Sequence, residues 1–248
     1  MTAILSVRGL SKRFGGRVVL QDIGFDVEEG EVHGIMGPNG AGKTTCFHVL
    51  TGRYRPDRGQ VFFGGREITG LAPRAIARLG IARSFQVMNL FDDYTALDNA
   101  LVATPEFRAR GFDFLADAAG ATLARERAAR TLAEVGLAGK ESIRARSLSY
   151  GDRRALEIGV ALAADPKLLF LDEPTAGLGA EGLARIAELI GELRKRITLV
   201  VIEHDMRFLF GLADRISVVH WGQVIARGTP AQLRANPWVQ RSNLGELA

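Results

Sequence analysis

The stretch that decides the fold is Gly37-Pro38-Asn39-Gly40-Ala41-Gly42-Lys43-Thr44. It matches the pattern G-x-x-x-x-G-K-[ST], it follows the apolar run at residues 32–36, and it precedes a segment that we expect to be helical as far as Gly52. Glycines let the backbone curl so that successive N–H groups face one anion, and the positive end of the following helix favours the same anion. The stretch therefore predicts a loop that holds the phosphates of a nucleotide.

Three side chains of this loop and the following helix have predicted roles. Lys43 would reach the β- and γ-phosphates, Thr44 would place its hydroxyl on Mg²⁺, and Thr45 could donate to the α-phosphate. A glycine-rich turn that binds nothing is the alternative, and the strand-to-helix context disfavours it. A guanine-reading N-K-x-D sequence is absent from the chain, which weighs against a GTPase.

Two further apolar runs lead directly into polar residues. Residues 168–171 precede Asp172 and Glu173, and residues 199–202 precede Glu203 and His204. Parallel strands carry functional groups at their carboxyl ends, so we expect these side chains near the phosphate loop. We predict that Asp172 supports Mg²⁺ through water, that Glu173 polarises the attacking water, and that His204 contacts the γ-phosphate. A solvated acid pair and a structural histidine are the alternatives.

The pattern of apolar residues predicts a single α/β domain over residues 1–248. Residues 1–88 and 165–248 would form a mainly parallel α/β core around the phosphate loop. Short alternating runs at residues 4–32 and 60–63 predict an antiparallel flank. Helical patterns dominate residues 89–164, which we interpret as a helical subdomain inserted into the core.

Composition and charge narrow the cellular setting. Basic residues exceed acidic residues by only four, 32 against 28, and the charges are scattered, so we expect no nucleic-acid partner despite a pI near 9.6. The single cysteine, Cys46, cannot form an internal disulfide. No apolar run reaches the roughly 18 residues that span a bilayer. We therefore expect a cytosolic protein that reaches a membrane only through a partner.

The segment Leu148-Ser149-Tyr150-Gly151-Asp152 begins a predicted helix just before the strand that ends at Asp172. Ser149 and Asp152 have the spacing of a capping box, and a helix start built from small residues is also a second phosphate site. Here the sequence resembles the nucleotide-binding subunits of ABC transporters, and this resemblance implies a P-loop NTPase core of the RecA-like type. The matching pieces lie in family order at residues 37–45, 84–86, 148–152, 171–174 and 203–205.

Within that superfamily the chain is most similar to the ATP-binding subunits of branched-chain amino-acid importers. The pieces that carry this finer resemblance are residues 81–86, 89–91, 148–151, 202–206, 236–237 and 244–246. Urea-type importers and lipopolysaccharide exporters share several of them. An exporter ATPase therefore stays open as an alternative, as does a nucleic-acid-associated ABC ATPase, and a nucleotide-free structural domain is the weakest reading.

The resemblance implies further roles and partners. Two ATPase subunits, identical or sister, would pair head to tail, with Ser149 and Gly151 of one facing ATP in the loop of the other. Phe14 would stack on adenine, with core packing as its alternative, and Gln86 would link Mg²⁺ and the attacking water to the helical subdomain. The pair would lie peripherally on the cytoplasmic face of the membrane, beneath permease subunits and, indirectly, a periplasmic or extracellular substrate-binding protein.

The sequence also departs from the family pattern at three places. Tyr150 and Asp152 replace the commoner Gly and Gln of the signature segment. Residues 176–179, Ala-Gly-Leu-Gly, lack the Asp that many relatives carry at the dimer seam. Communication between two sites would then rest on backbone groups of this loop.

Overall fold

The computed structural model describes residues 3–84, 89–110, 118–237 and 239, and its architecture is α/β. The strands in chain order are β1 (Ala3–Phe14), β2 (Arg17–Glu28), β3 (Val32–Met36), β4 (Arg58–Phe63), β5 (Arg66–Glu67), β6 (Ile81–Arg83), β7 (Leu168–Asp172), β8 (Thr198–Glu203), β9 (Arg215–His220) and β10 (Gln223–Gly228). The α-helices are α1 (Lys43–Leu50), α2 (Pro73–Arg78), α3 (Ala96–Leu101), α4 (Pro105–Arg110), α5 (Ala118–Glu134), α6 (Tyr150–Ala163), α7 (Ala180–Leu193), α8 (Met206–Leu212) and α9 (Pro230–Arg234).

A six-stranded sheet forms the centre of the molecule, with the order β10-β9-β3-β8-β7-β6. The five strands from β9 to β6 pair in parallel, and β10 adds an antiparallel edge. Every residue of β3, β7 and β8 is buried, as expected for parallel strands covered on both faces. The prediction of a mainly parallel core is confirmed, and the three apolar runs of the sequence are its adjacent central strands.

A second, four-stranded sheet has the order β2-β1-β4-β5 and is antiparallel throughout. Its β1 strand extends to Phe14, which pairs with Arg17 across a turn at Gly15 and Gly16. The predicted antiparallel flank is confirmed. Its long first hairpin brings Phe14 away from the core and to the tip of the sheet.

A different layer packs against each face of the central sheet, because the side chains of every strand point alternately to the two faces of the sheet. Val32, Met36, Leu169 and Leu171 belong to one apolar cluster, which they share with α3, α5, α6 and α7. Leu168, Phe170, Val200 and Ile202 belong to a second cluster, which they share with α1 and the antiparallel sheet. Helices and flank thus cover opposite faces of the same strands.

The helices α3 to α6 pack on one another and, through α6, on β6 and β7. Helix α6 begins at Tyr150 and ends at Ala163, close to its predicted bounds. The division of the chain into a core and a subdomain at residues 89–164 stays a prediction. Among the described residues, none of the helices has the length and apolar character needed to cross a bilayer.

Candidate active site

The predicted phosphate loop connects the end of β3 to the start of α1. All nine predicted positions lie there: Gly37, Pro38, Asn39, Gly40, Ala41, Gly42, Lys43, Thr44 and Thr45. Helix α1 begins after Gly42, whose φ is 102° and whose side-chain position would lie 2.9 Å from both Leu20 Cδ2 and Val19 O. Only glycine fits that backbone and that space without strain. No side chain caps the start of α1.

Lys43 is buried, with 5% of its surface exposed, and its ammonium faces the loop. The Nζ atom donates to Gly37 O at 2.6 Å and to Pro38 O at 3.0 Å. Burial lowers the pKa of Lys43, although the charges of Glu173, Asp172 and Glu203 oppose that shift. The fold therefore brings the ammonium of Lys43 close enough to the carboxylates at the ends of β7 and β8 for their charges to interact.

Asp172 and Glu173 lie at the end of β7 but in different backbone conformations. Asp172 is the last strand residue and is 2% exposed, whereas Glu173 has a φ of 46°, in the left-handed region that few side chains adopt. Glu173 therefore does not continue the strand but lies in a left-handed turn, and its N–H donates to Ile202 O at 2.9 Å.

Burial, reinforced by the adjacent charge of Glu173, raises the pKa of Asp172 to about 6, while Arg154 and Lys43 oppose the shift. A buried carboxylate of this kind gains from a cation that neutralises it. Thr44, whose side chain is exposed at the start of α1, offers a hydroxyl oxygen. Hydroxyl and carboxylate oxygens are the donors that Mg²⁺ prefers alongside phosphate oxygens, so this pair fits the ion.

His204 follows β8, the strand between β3 and β7. Its side chain is 54% exposed, and its Nδ1 lies 3.8 Å from Glu173 Oε1 and 3.6 Å from Glu203 Oε2. Glu203 is fully buried and accepts hydrogen bonds from the backbone N–H and the hydroxyl of Thr175. The structure thus brings His204 beside the predicted catalytic carboxylate, and its γ-phosphate contact stays a prediction.

Phe14 lies at the tip of the antiparallel sheet with 43% of its surface exposed, so core packing does not account for it. The ring of Tyr54 meets it edge to face, with centroids 5.2 Å apart, and Lys12 Nζ lies 5.4 Å from its centroid. Lys12 in turn pairs with Asp57 at 3.1 Å. A supported and partly exposed aromatic ring can stack on a base, and that role of Phe14 stays a prediction.

The signature segment forms the start of α6. Ser149 is its N-cap, and its hydroxyl accepts from the Asp152 N–H at 3.2 Å. The Asp152 carboxylate does not complete the expected capping box. It instead accepts hydrogen bonds from Lys140 Nζ at 2.6 Å and from Arg185 at 2.9 Å. Although burial raises the pKa of Asp152, these hydrogen bonds to Lys140 and Arg185 hold it below its usual value. Gly151 lies beside a surface cavity of about 510 Å³ that Ser149, Gly177 and Gly179 also line.

Some residues that carry the family resemblance lie outside the described residues or away from the strand ends of this site. Gln86 and residues 244–246 lie outside the described residues, so the predicted role of Gln86 is carried by the sequence alone. Within residues 89–91, which belong to the finer resemblance, Leu90 packs against the helical side of the core, whereas Phe91 is 57% exposed and contacts Tyr94.

Sequence reasoning missed Arg154, which is 2% exposed in α6 and reaches the turn that follows β7. It also missed Ser84, whose hydroxyl accepts from the Asp172 N–H at 3.2 Å. The only sequence signal for a role of Arg154 is that Glu157 follows it by three residues, on a helix whose surrounding positions are apolar. That spacing is common on exposed helices, and burial alone distinguishes this pair.

Comparison with known proteins agrees with this geometry. A protein-family model described as ABC transporter matches residues 20–176. The chain is 41% identical to the high-affinity branched-chain amino acid transport ATP-binding protein LivG of Salmonella typhimurium, over 98% of each chain. It is 42% identical to the corresponding protein BraF of Pseudomonas aeruginosa, again over 98% of each.

Solved structures give the same result for the fold. The ADP conformation of MJ1267, an ATP-binding cassette of an ABC transporter, superimposes with a TM-score of 0.87 at 30% sequence identity. The match covers 99% of this chain and 100% of that one. The predicted P-loop NTPase core with its flank and helices is therefore confirmed as a whole.

Proposed function

Because this chain belongs to the ABC transporter family, we propose that it is the ATP-hydrolysing subunit of an importer for branched-chain or related amino acids. As a member of that family it is an ATPase whose reaction is coupled to transport. One observation carries the proposed site: Lys43, Glu173 and His204 follow the neighbouring strands β3, β7 and β8 at one edge of the sheet. The substrate class rests on the names of LivG and BraF.

In the proposed reaction, Lys43 exchanges its two loop carbonyls for the β- and γ-phosphates. Glu173 accepts a proton from water as the water oxygen bonds to the γ-phosphorus, and the bond to the β-phosphate oxygen breaks to release ADP. His204 donates to the γ-phosphate from the other side of Glu173. Mg²⁺, held by Thr44 and Asp172, would neutralise phosphate charge.

The proposed working unit is a head-to-tail pair. The start of α6, with Ser149 and Gly151, faces the ATP held by the loop of the other copy, and ATP is buried between them. A phosphate held from both sides stabilises the closed pair only while the γ-phosphate is present. Hydrolysis therefore removes contact free energy and lets the pair reopen.

The proposed membrane partner docks on the side of the sheet near α2 and β6. A cavity of about 350 Å³ lies there, and it is lined by Ile76, Ile81 and Val160 together with Arg74, Arg83 and Arg108. A lining that combines apolar side chains with arginines suits a short amphipathic helix with acidic residues. Docking at this groove would hold the chain peripherally on the cytoplasmic face, beneath a permease and indirectly a substrate-binding protein.

The proposal is tested with Glu173→Gln, which keeps the size of the side chain but removes its basicity. We expect hydrolysis to fall about 100-fold or more while ATP binding persists, because only the proton acceptor is lost. Size-exclusion chromatography with Mg-ATP should then show a stable dimer. The exposed Glu192→Gln serves as the matched control and should behave as wild type. Undiminished hydrolysis by Glu173→Gln contradicts the proposed site.

The import function needs a separate test in the cell. Deletion of the gene for this chain should abolish uptake of radiolabelled leucine, isoleucine or valine, and the wild-type gene but not Glu173→Gln should restore it. Permease subunits should copurify with the tagged chain. Normal uptake of all three amino acids after deletion would rule out the proposed substrate class and leave the ATPase assignment intact.

A further inference from the structure

Helix α6 carries the signature residues at its start and also holds the turn that contains Glu173. We propose that Arg154, supported by Glu157 and Tyr150, is a positioning residue that makes α6 and this turn move as one body. The inference rests on the proposed function, because it concerns the aim of Glu173 at ATP. In this proposal, Arg154 couples one ATP site of the pair to the other.

Three consecutive carbonyls of the turn accept hydrogen bonds from Arg154. Its Nη2 donates to Asp172 O at 2.9 Å and to Glu173 O at 2.5 Å, and its Nε donates to Pro174 O at 3.2 Å. A guanidinium presents several donors in a fixed plane, which a lysine ammonium does not. The side chain therefore fixes the orientation of successive peptide groups and not merely their distance from α6.

Glu157 fixes the guanidinium itself. Its Oε2 accepts from Arg154 Nη1 at 2.6 Å, and the two side chains are 4% and 2% exposed. A buried charge needs a partner and saturated hydrogen bonding, and this pair with its three carbonyls provides both. Because Arg154 and Glu157 lie one turn apart on α6, the clamp is anchored to the helix and not to a loop.

Tyr150 contacts the loop that follows the turn at residues 172–174. Its hydroxyl donates to Ala176 O at 3.0 Å. Gly177 lies against the ring with a φ of 74°, and a side chain there would come within 2.8 Å of the Tyr150 hydroxyl oxygen. Tyr150, which replaces the commoner glycine of the signature, thus contacts and holds the loop at residues 176–179, which lacks the Asp that many relatives carry.

The turn needs such a clamp because Glu173 has a left-handed φ of 46°. A side chain in this region costs about 1 kcal/mol or more and persists only where neighbouring groups fix the backbone. The Glu173 N–H is held by Ile202 O and its carbonyl by Arg154. Both peptide groups that set the direction of the carboxylate are thereby fixed, one from β8 and one from α6.

The clamp gives a physical route between the two ATP sites of the proposed pair. Ser149 and Gly151 start the helix that carries Arg154, so contact with ATP on the other copy sets the position of α6. Helix α6 is a continuous 14-residue helix, and Arg154 attaches it to the turn of its own Glu173. ATP bound on one copy thus adjusts the aim of the catalytic carboxylate on the other.

The first test replaces Arg154→Lys, which keeps the charge and removes the planar set of donors. We expect kcat for ATP hydrolysis to fall about 10- to 100-fold, because a small misplacement of a catalytic group has effects of this size. KM for Mg-ATP should change less than about threefold, because binding does not require Glu173. The matched control is Arg153→Lys on the same helix, where Arg153 binds Asp92 at 2.7 Å and Ala145 O at 3.2 Å. It should keep both constants within about twofold of wild type.

Two further variants separate positioning from stability. Arg154→Met with Glu157→Met removes both buried charges while keeping the packing volume, and Tyr150→Phe removes one hydroxyl at a half-exposed position. Each is assayed at a temperature where circular dichroism shows a folded protein. We expect low kcat in the double variant and a smaller loss in Tyr150→Phe. Wild-type kcat in Arg154→Lys, or in a folded double variant, would overturn the inference.

The coupling between sites is measured with Ser149→Ala in the wild-type and Arg154→Lys backgrounds. If α6 transmits the contact, the two effects on kcat will combine to less than their product, because either change breaks the same connection. Independent effects would refute the coupling. Glu173→Gln identifies a failure of the proposed function itself: if it still hydrolyses ATP, the site is wrong, whereas its inactivity beside a normal Arg154→Lys rejects only the clamp.

Discussion

The phosphate loop and the signature segment are both helix starts, but they satisfy their backbone groups in opposite ways. Helix α1 follows Gly42 with no side-chain cap, whereas α6 follows Ser149, whose hydroxyl accepts from the Asp152 N–H. An uncapped helix start offers its N–H groups to an anion. The start of α1 therefore leaves its first N–H groups open to an anion, whereas the start of α6 already has one of its N–H groups bound by its own cap.

The two buried aspartates of these regions show the same contrast in charge. Asp172 has its pKa raised to about 6 by burial and by Glu173, whereas hydrogen bonds to Lys140 and Arg185 hold the pKa of Asp152 below its usual value. Asp152 forms ion pairs with two cations, whereas Asp172 lies among the charges of Glu173, Glu203, Arg154 and Lys43. Neutralising the two carboxylates is therefore expected to change stability in opposite directions.

The largest expected effect comes from Lys43→Ala, which breaks the loop side of the comparison. Loss of charge-assisted hydrogen bonds to two phosphates should weaken ATP binding about 100-fold or more. The ATP-induced rise in melting temperature should disappear, and differential scanning fluorimetry measures it. Lys195→Ala, at an exposed ion pair with Glu192, should keep the full rise. Normal ATP binding by Lys43→Ala would leave the loop without its proposed function.

Asp172→Asn tests whether the loop side carries an uncompensated charge. The folded pKa of about 6 lies above the ordinary 3.8, so the stability that Asp172 contributes is present below pH 4 and is lost as the pH rises through 6. Without nucleotide, the variant should exceed wild type by about 2–3 kcal/mol at pH 8. Urea denaturation should show the two proteins converging at pH 4. The exposed Asp93→Asn should show no such difference, and equal stability at pH 8 would contradict the raised pKa.

Asp152→Asn should have the opposite sign, because this carboxylate is already neutralised. Loss of charged hydrogen bonds to Lys140 and Arg185 should destabilise the protein by about 1–2 kcal/mol at pH 7. The lowered folded pKa means that this contribution is present above the unfolded pKa and is lost as pH falls through the folded one. Urea denaturation at pH 7 measures it. Asp92→Asn, at the more exposed pair with Arg153, should cost less, and an equal cost would remove the contrast.

The smallest effect is expected for Ser149→Ala, which removes the cap of α6. Loss of one capping hydrogen bond should lower the free energy of unfolding by about 1 kcal/mol. Thr229→Ala removes the equivalent cap of α9, far along the chain, and should cost a similar amount. Only Ser149→Ala should also weaken the ATP-dependent dimer of the Glu173→Gln background, as read by size-exclusion chromatography. Equal dimerisation of both variants would show that Ser149 serves its helix alone.

Residue order alone determined the phosphate loop, the three central strands and the residues that follow them. These features are local: a glycine pattern, an apolar run or a cap acts within a few residues of the chain. The location of Lys43, Asp172, Glu173 and His204 at one edge of a parallel sheet then follows from strand direction, whereas the strand order β3-β8-β7 does not. The family itself also follows, because its motifs are contiguous segments in a fixed order.

Only the tertiary structure decided which side chains meet across the fold. It brought Arg154 to the carbonyls of residues 172–174, Asp152 to Lys140 and Arg185, and Tyr150 to Ala176. It also set Glu173 in a left-handed turn, with a φ of 46°. Such contacts join segments 12 to 33 residues apart, and burial together with these contacts shifts the pKa values of Asp152 and Asp172. A sequence states which groups are present, whereas packing fixes their partners, because pairing depends on where distant segments are brought together.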